Sequence, residues 1–207
     1  MLELLGAPAR VLALGAHPDD IELGAGGTLL ALADAGADLS FAVLSGDDTR
    51  RAEARTAAAA VARGATVRFA NLPDGRFPTA WGDAKRFLHA LVEEVGRPDL
   101  VLAPRLDDAH QDHRVVADLV KPVFRGANVL RYEIPKWDGD HGPAQVYVPL
   151  TDDVVRRKVR LLEESYPSQH GRGWWDEETF RSVLRLRGVE AGTRYAEGFV
   201  ADKVVLR

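Results

Sequence analysis

Residues Val11–Thr28 read VLALGAHPDDIELGAGGT, and the fold turns on how this stretch is parsed. Val11–Gly15 is a short continuous apolar run, which fits a strand buried on both faces of a parallel sheet. It delivers the cluster His17-Pro18-Asp19-Asp20. The segment Gly24-Ala25-Gly26-Gly27-Thr28 then reads as a glycine-rich turn leading into an apolar, alanine-rich helix over Gly26–Ala35. A buried strand, a loop with one imidazole and two carboxylates, and a helix start together place chemistry at the C-terminal edge of an α/β sheet.

Outward from this stretch, strand and helix patterns alternate. Arg10–Ala16 reads as the first strand and Asp38–Leu44 as the second, which ends in the polar turn Ser45–Thr49. Arg50–Arg63 is an alanine-rich helix closed by Gly64, and Thr66–Ala70 a short third strand before the turn Asn71–Gly75. Thr79–Val95 has helical spacing, and Asp99–Ala103 is a buried fourth strand followed by a second polar cluster, Pro104–His113, PRLDDAHQDH. Arg114–Val123 reads as a helix and Asn128–Ile134 as a fifth strand. Pro135–Pro149 is rich in Pro and Gly and reads as irregular. Asp152–Glu164 is a helix that Thr151 or Asp152 caps, Ser165–Asp176 a polar loop, Glu177–Leu186 a helix, and Phe199–Leu206 a closing strand. This alternation predicts an α/β fold, Rossmann-like, with three α/β/α layers around a mainly parallel sheet. Nothing in the sequence divides it, so residues 1–207 are expected to form one domain.

Composition narrows the function. Lys and Arg number 27 against 31 Asp and Glu, a net charge of −4, which offers no basic field for nucleic acid or an anionic membrane. Cysteine is absent. Disulfides, thiolate nucleophiles and thiolate metal sites are thereby excluded, and any metal must be held by His, Asp or Glu. Glu3 stands where a signal peptide would carry positive charge, and no apolar stretch approaches the roughly 20 residues of a bilayer span. A cytoplasmic enzyme is expected.

The two polar clusters follow the first and fourth strands. In a doubly wound sheet those neighbouring ends meet where strand order reverses, which would bring His17, Asp19, Asp20, His110, Asp112 and His113 together. Two His and one Asp suit Zn²⁺, and Fe²⁺ equally, with positions left for water and substrate. A remaining carboxylate would serve as general base. The glycines are spaced G-x-G-G rather than G-x-G-x-x-G, which weighs against a dinucleotide and favours tight backbone packing.

AHPDD followed by GAGGT, with the later DAHQDH, resembles the PIG-L/LmbE-like family of metal-dependent N-acetyl-sugar deacetylases. The family's usual AHPDDE is varied here, with Ile21 at the glutamate position and Glu22 after it. Weaker likeness continues in Arg51 and Glu53, in LPDG at Leu72–Gly75 and in YAEGF at Tyr195–Phe199. The resemblance implies His17, Asp20 and His113 as metal ligands and Asp19 as general base. It implies His110 as the histidine that stabilises the oxyanion or protonates the leaving amine, with Asp112 as the carboxylate paired to it. Zn²⁺-dependent hydrolysis of a small N-acetylated amino sugar or its conjugate is the expected reaction. The alternatives are a metal-dependent amidase acting on a non-sugar or mercapto-sugar amide, and a non-catalytic nucleotide-binding module.

Other residues carry lesser expectations. An arginine at the start of the second helix is expected on the substrate, with Arg51 the better match to the family and Arg50 beside it. Asp47 and Asp48 read as turn and cap residues. In Glu133–His141, EIPKWDGDH, Trp137 and Asp138 suit a sugar, because an aromatic face stacks on a pyranose while carboxylates accept hydroxyl hydrogen bonds. Asp138, Asp140 and His141 could alternatively form an accessory metal site. Tyr166, His170, Trp174 and Trp175 lie on a second long loop, read as a far wall, a lid or a point of self-association into a homo-oligomer. Arg185 and Arg187 could meet an anionic group on the substrate.

Overall fold

The computed structural model describes residues 10–204. Glu3 and the last residues of the expected closing strand lie outside them. In chain order the elements are β1 (Arg10–Gly15), α1 (Asp20–Asp34), β2 (Asp38–Val43), α2 (Asp48–Val61), β3 (Val67–Phe69), α3 (Trp81–Val95) and β4 (Leu100–Pro104). There follow α4 (Gln111–Val123), β5 (Asn128–Tyr132), β6 (Val146–Leu150), α5 (Asp152–Ser165), α6 (Glu177–Glu190) and β7 (Tyr195–Lys203). The strands form one sheet in the order β3-β2-β1-β4-β5-β7-β6. β1 to β5 run parallel, and β7 is antiparallel to both β5 and β6.

Alternation along the strands builds two cores. Val11 and Ala13 of β1, with Leu100 and Leu102 of β4, face apolar residues of α1, α2, α5 and α6. Leu12 and Leu14, with Val101 and Ala103, face α3 and α4. The expected three layers and mainly parallel sheet are therefore present. Strand order reverses between β1 and β4, so a crevice opens at their C-terminal ends. Both polar clusters emerge there.

The glycine-rich segment is not a turn. α1 already begins at Asp20, and Gly24, Gly26 and Gly27 are buried within it. A Cβ on Gly24 would stand 2.1 Å from Tyr132 Cδ2, and one on Gly27 would stand 2.5 Å from Leu150 Cδ1. Helical glycine costs about 1 kcal/mol against alanine, and here it permits α1 to lie directly on β5 and β6. Charged side chains complete the attachment. Glu197 of β7 accepts from the backbone N–H of Gly27 (2.8 Å) and Thr28 (2.7 Å). Lys158 of α5 donates to Leu23 O and to Glu197, each at 2.7 Å.

Two strands were misread from sequence. β6 forms at the end of the stretch read as irregular, Pro135–Pro149, and runs on to Leu150, with Pro149 tolerated because β6 is the edge of the sheet. β7 starts at Tyr195 rather than Phe199, since its pairing with β6 runs back to Leu150↔Tyr195. Among the described residues no helix is long and apolar enough to cross a membrane.

Candidate active site

The loop after β1 is shaped by its own carboxylates. Asp20 Oδ2 accepts from the backbone N–H of Ala16 (2.9 Å) and His17 (2.8 Å), folding the chain back into α1. Asp19, between them, is held at φ 99°, ψ −25°. Positive φ is uncommon for any residue but glycine, and such strain gathers at functional sites. After β4, Asp108 Oδ1 accepts from His110 N (2.8 Å), and His110 is the N-cap of α4. α4 begins at Gln111, earlier than the sequence pattern indicated, so Asp112 and His113 sit in its first turn, with Asp112 fully buried and His113 lining the crevice.

The sequence-predicted ligands converge. His17 Nδ1 is 3.1 Å from His113 Nε2, and Asp20 Oδ2 lies 3.3 Å from His113 Nε2 and 3.6 Å from His17 Nδ1. Donors held about 2.1 Å from one ion stand roughly 3.0–3.4 Å apart in octahedral or tetrahedral geometry. The remaining ring nitrogens face carboxylates: His17 Nε2 is 3.0 Å from Asp74 and 3.4 Å from Asp112, and His113 Nδ1 is 2.9 Å from Asp108. A carboxylate behind each imidazole is the usual outer shell of a histidine metal ligand. His110 completes the cluster, its ring 4.8 Å from that of His17 and 4.7 Å from that of His113. The residues present fit a divalent cation.

Burial alone would lower the histidine pKa values, but hydrogen bonds to Asp112, Asp20 and Asp74 push His17 up to about 12. His113, likewise buried, is raised to about 9 by Asp20 and Asp108. Asp20 is held well below the usual carboxylate range, because His113 and His17 outweigh its burial. Burial pushes Asp19 the other way, up to about 6, with Arg50 at 2.8 Å moderating the rise. A carboxylate with its pKa near working pH is suited to general base chemistry. Burial and the neighbouring His113 and His17 charges lower His110.

These groups floor a cleft of about 880 Å³. Arg50 lines it: its guanidinium pairs with Asp19, donates to Pro18 O and reaches Ser168 Oγ at 3.3 Å. Arg51, the arginine favoured from sequence, is not on the cleft. It lies over the Phe69 ring, 5.9 Å from its centroid, and 3.7 Å from Asp48. One residue along a helix is a rotation of about 100°, so adjacent arginines cannot share a face. The register is set by Asp47, which caps α2 by accepting from Arg50 N at 2.8 Å.

Trp137 and Asp138 do line the cleft, and the second long loop joins them through Ser168, Gln169, Arg172 and Trp174. Trp137 meets Trp174 edge to face, with centroids 5.8 Å apart. Lys136, which sequence reasoning passed over, pairs with Asp140 at 2.8 Å and with Asp108 at 3.3 Å. Asp140 also accepts from Ala109 N (2.7 Å), and His141 pairs with Glu133 (3.0 Å). Asp138 and Asp140 both face Lys136 while His141 turns to Glu133, so the three are not gathered into an accessory metal set. Arg187 is buried against Glu133 at 2.6 Å, and Arg185 donates to the carbonyls of Thr193 and Arg194. Neither faces the cleft. Asp112 differs from its family-implied role as well. Its carboxylate faces His17 and accepts from the backbone N–H of Gly75 (2.7 Å) and Phe77 (3.0 Å), while its own N–H donates to His110 Nδ1 at 3.2 Å.

Asp74, Asp108 and Lys136 are the functional neighbours missed from sequence. Asp74 lay within the quoted LPDG, and Asp108 within the second polar cluster, but only the folded loops reveal which histidine each one backs.

A mainly parallel α/β sheet with two histidines and a carboxylate gathered at its reversal point defines the class, and comparison with known proteins gives the family. The sequence profile of the PIG-L family, GlcNAc-PI de-N-acetylase, matches residues 12–124. The chain belongs to that family and is an N-deacetylase. It is 26% identical to the diacetylchitobiose deacetylase of Thermococcus kodakarensis over 222 residues, covering 91% of this chain and 81% of that protein. It is 32% identical to YaiS of Escherichia coli K12, described as an uncharacterized deacetylase, over 74% of this chain and 89% of that one. Among solved structures, the 4-carboxy-2-hydroxymuconate hydratase GalB from Pseudomonas putida KT2440 superposes with a TM-score of 0.77 at 21% identity, covering 96% of this chain and 98% of that one. This last likeness is one of fold alone, and a fold does not fix a reaction.

Proposed function

We propose that the protein is a zinc-dependent hydrolase that removes the N-acetyl group of an amino-sugar derivative, releasing acetate and the free amine. The observation that carries this reading is the donor triangle of His17, Asp20 and His113, with sides of 3.1–3.6 Å and the strained Asp19 beside it. Zinc held by those three residues would polarise the acetyl carbonyl and acidify water. Asp19, kept in place by Arg50, takes a proton from the attacking water. The Asp112 N–H donated to His110 Nδ1 leaves the His110 proton on Nε2. His110, kept neutral by its lowered pKa, then donates a hydrogen bond to the oxygen that becomes negative as the carbonyl is attacked. The departing nitrogen receives the proton that Asp19 took from the water, while the neutral His110 acts only as a hydrogen-bond donor to the oxyanion. Trp137 and Asp138 would contact the sugar, and Arg50 rather than Arg51 is the arginine on the substrate side.

The nucleotide-binding alternative fares poorly, because Asp19, Asp20 and Glu22 crowd the start of α1, where a phosphate would need positive potential. Acetate release from a panel of N-acetylated amino sugars and non-sugar amides, by protein stripped of metal and reconstituted with Zn²⁺, is the test. Zinc-dependent release from sugars supports the proposal. Zinc binding with release only from non-sugar amides would move the assignment to a general amidase. A protein that binds no zinc would refute the site.

A further inference from the structure

Glu53 is a buried carboxylate to which the proposed reaction gives no task. It lies three residues along α2 from Arg50 and is 7% exposed, and burying a carboxylate is costly unless its oxygens find donors. Both oxygens find them on a single residue 115 positions away. Oε1 accepts from Ser168 N at 2.8 Å, and Oε2 accepts from Ser168 Oγ at 2.6 Å. Ser168 belongs to the loop after α5, which carries Trp174 to the mouth of the cleft, where Trp137 is 69% exposed. The bond from the Ser168 N–H ties that loop to α2. The second bond sets the direction of the hydroxyl.

A hydroxyl has one proton to give and two lone pairs to offer, and a carboxylate only accepts. The Ser168 proton therefore goes to Glu53. Its lone pairs are left for the two donors that face them, Arg50 Nη1 at 3.3 Å and Gln169 Nε2 at 2.9 Å. The Arg50 guanidinium is thus held at both ends, with Nη1 on Ser168 and Nη2 on Asp19 at 2.8 Å and on Pro18 O. It also lies over the Tyr166 ring, 5.8 Å from the centroid. A planar fork bonded through one nitrogen can swing about that contact, whereas one bonded through two has its plane fixed. Among the described residues Arg50 is the one cation paired with Asp19, so the direction of the Asp19 carboxylate follows that of the fork.

We propose that Glu53 and Ser168 are positioning residues for the general base. Glu53 aims the Ser168 hydroxyl, the hydroxyl fixes the Arg50 guanidinium, and the guanidinium holds the Asp19 carboxylate towards the water it deprotonates. This proposal rests on the deacetylase reading, with Asp19 as the base.

The experiment compares zinc-reconstituted wild type with Ser168→Ala, Ser168→Thr and Glu53→Gln, using the N-acetylated sugar that the wild type cleaves fastest. Ser168→Ala removes the hydroxyl but keeps the N–H on Glu53, so the loop stays tied. Glu53→Gln keeps the size of the side chain but sets an amide NH₂ against one of the two Ser168 donors. Both should lower kcat by about tenfold with KM and zinc content unchanged, less than the ~10²-fold that a displacement of ~1 Å can cost. Ser168→Thr, which restores the hydroxyl, should recover most of the rate. A raised KM with kcat preserved would mean that Glu53 and Ser168 only shape the wall, and it overturns the proposal. A threonine variant as slow as the alanine variant overturns it too. Side-chain ¹H–¹⁵N spectra give a readout that needs no turnover. The Arg50 Nη resonances, assigned by their loss in Arg50→Lys, should be resolved in the wild type and merge in Ser168→Ala and Glu53→Gln as the guanidinium rotates freely. Merging without acetate release from any sugar, even by the wild type, keeps the chain of contacts and sinks the reaction. Acetate release with Arg50 resonances unchanged in both variants sinks the positioning chain alone.

Discussion

At the floor of the cleft, His17, Asp20 and His113 are held by backbone amides and by carboxylates that are themselves fixed, on loops only a few residues from β1 and β4. At the mouth, Trp137 and Trp174 come from two long loops that meet through the contact of their rings and through the Arg172 guanidinium over Trp137. The floor inherits its geometry from the sheet, while the mouth depends on side chains that hold loop to loop. Chemistry should therefore be lost only by changing the acting groups or the contacts that hold Asp19, whereas substrate recognition should yield to changes at a distance. Asp19→Asn is the strongest test of the first half. It keeps the shape and removes the base, so turnover should fall by about 10²–10⁴-fold while zinc content, measured by atomic absorption, stays at the wild-type value. Near-normal acetate release would show that Asp19 is not the base, and loss of zinc would show that floor and base are not separable.

The same contrast decided what could be read in advance. His17, Asp19, Asp20, His110 and His113 were legible because buried strands in a doubly wound sheet must end at the same crevice, whatever the loops do. Gly24 and Gly27 were misread as a turn, since their purpose is contact with Tyr132 and Leu150, residues more than a hundred positions away. Arg51 was favoured over Arg50 on its likeness to the family pattern, which does not show the register that the Asp47 cap gives α2. Asp112 was assigned to His110 through its carboxylate, when the contact is made by its backbone N–H. Sequence pattern carries residue type and local period, and each of these misreadings concerns which atoms the folded chain brings into contact, whether distant, as for Gly24 and Gly27, or near, as for Asp112 and His110.

The mouth has a brace of its own, and acid should release it. Glu133 opens the Trp137 loop and lies between Arg187 and His141, with Arg187 also donating to Gly142 O at the far end. Burial would raise the Glu133 pKa, but Arg187 and then His141 pull it from 4.5 down to about 2. A depressed carboxylate pKa gives stability that is full above 4.5 and is lost as pH falls towards 2. Glu133→Gln should cost about 3 kcal/mol at neutral pH, the low end for breaking a buried pair. The variant should also flatten the decline in stability between pH 5 and pH 3. Urea titrations of both proteins across that range would check it. Parallel pH profiles would mean that this pair does not brace the loop.

The smallest effect is expected where the two regions join. Asp108 backs His113 at 2.9 Å and meets Lys136 at 3.3 Å, so one carboxylate touches both the floor histidine proposed to hold zinc and the residue before Trp137. Lys136→Met removes the mouth's hold on this carboxylate but leaves His110 N bonded to it. KM for an N-acetylated sugar should rise by roughly threefold, less than one kcal/mol, with kcat little altered, because the wall moves and the acting groups do not. Asp108→Asn instead removes the charge behind the ligand, and zinc affinity should fall by about 10–100-fold. If Lys136→Met lowers kcat and zinc affinity as Asp108→Asn does, the mouth is part of the metal's outer shell and the division between the two regions fails. If it changes neither constant, the ion pairs around Lys136 do not set the position of the wall, and the contacts of Trp137 with Trp174 and Arg172 hold it instead.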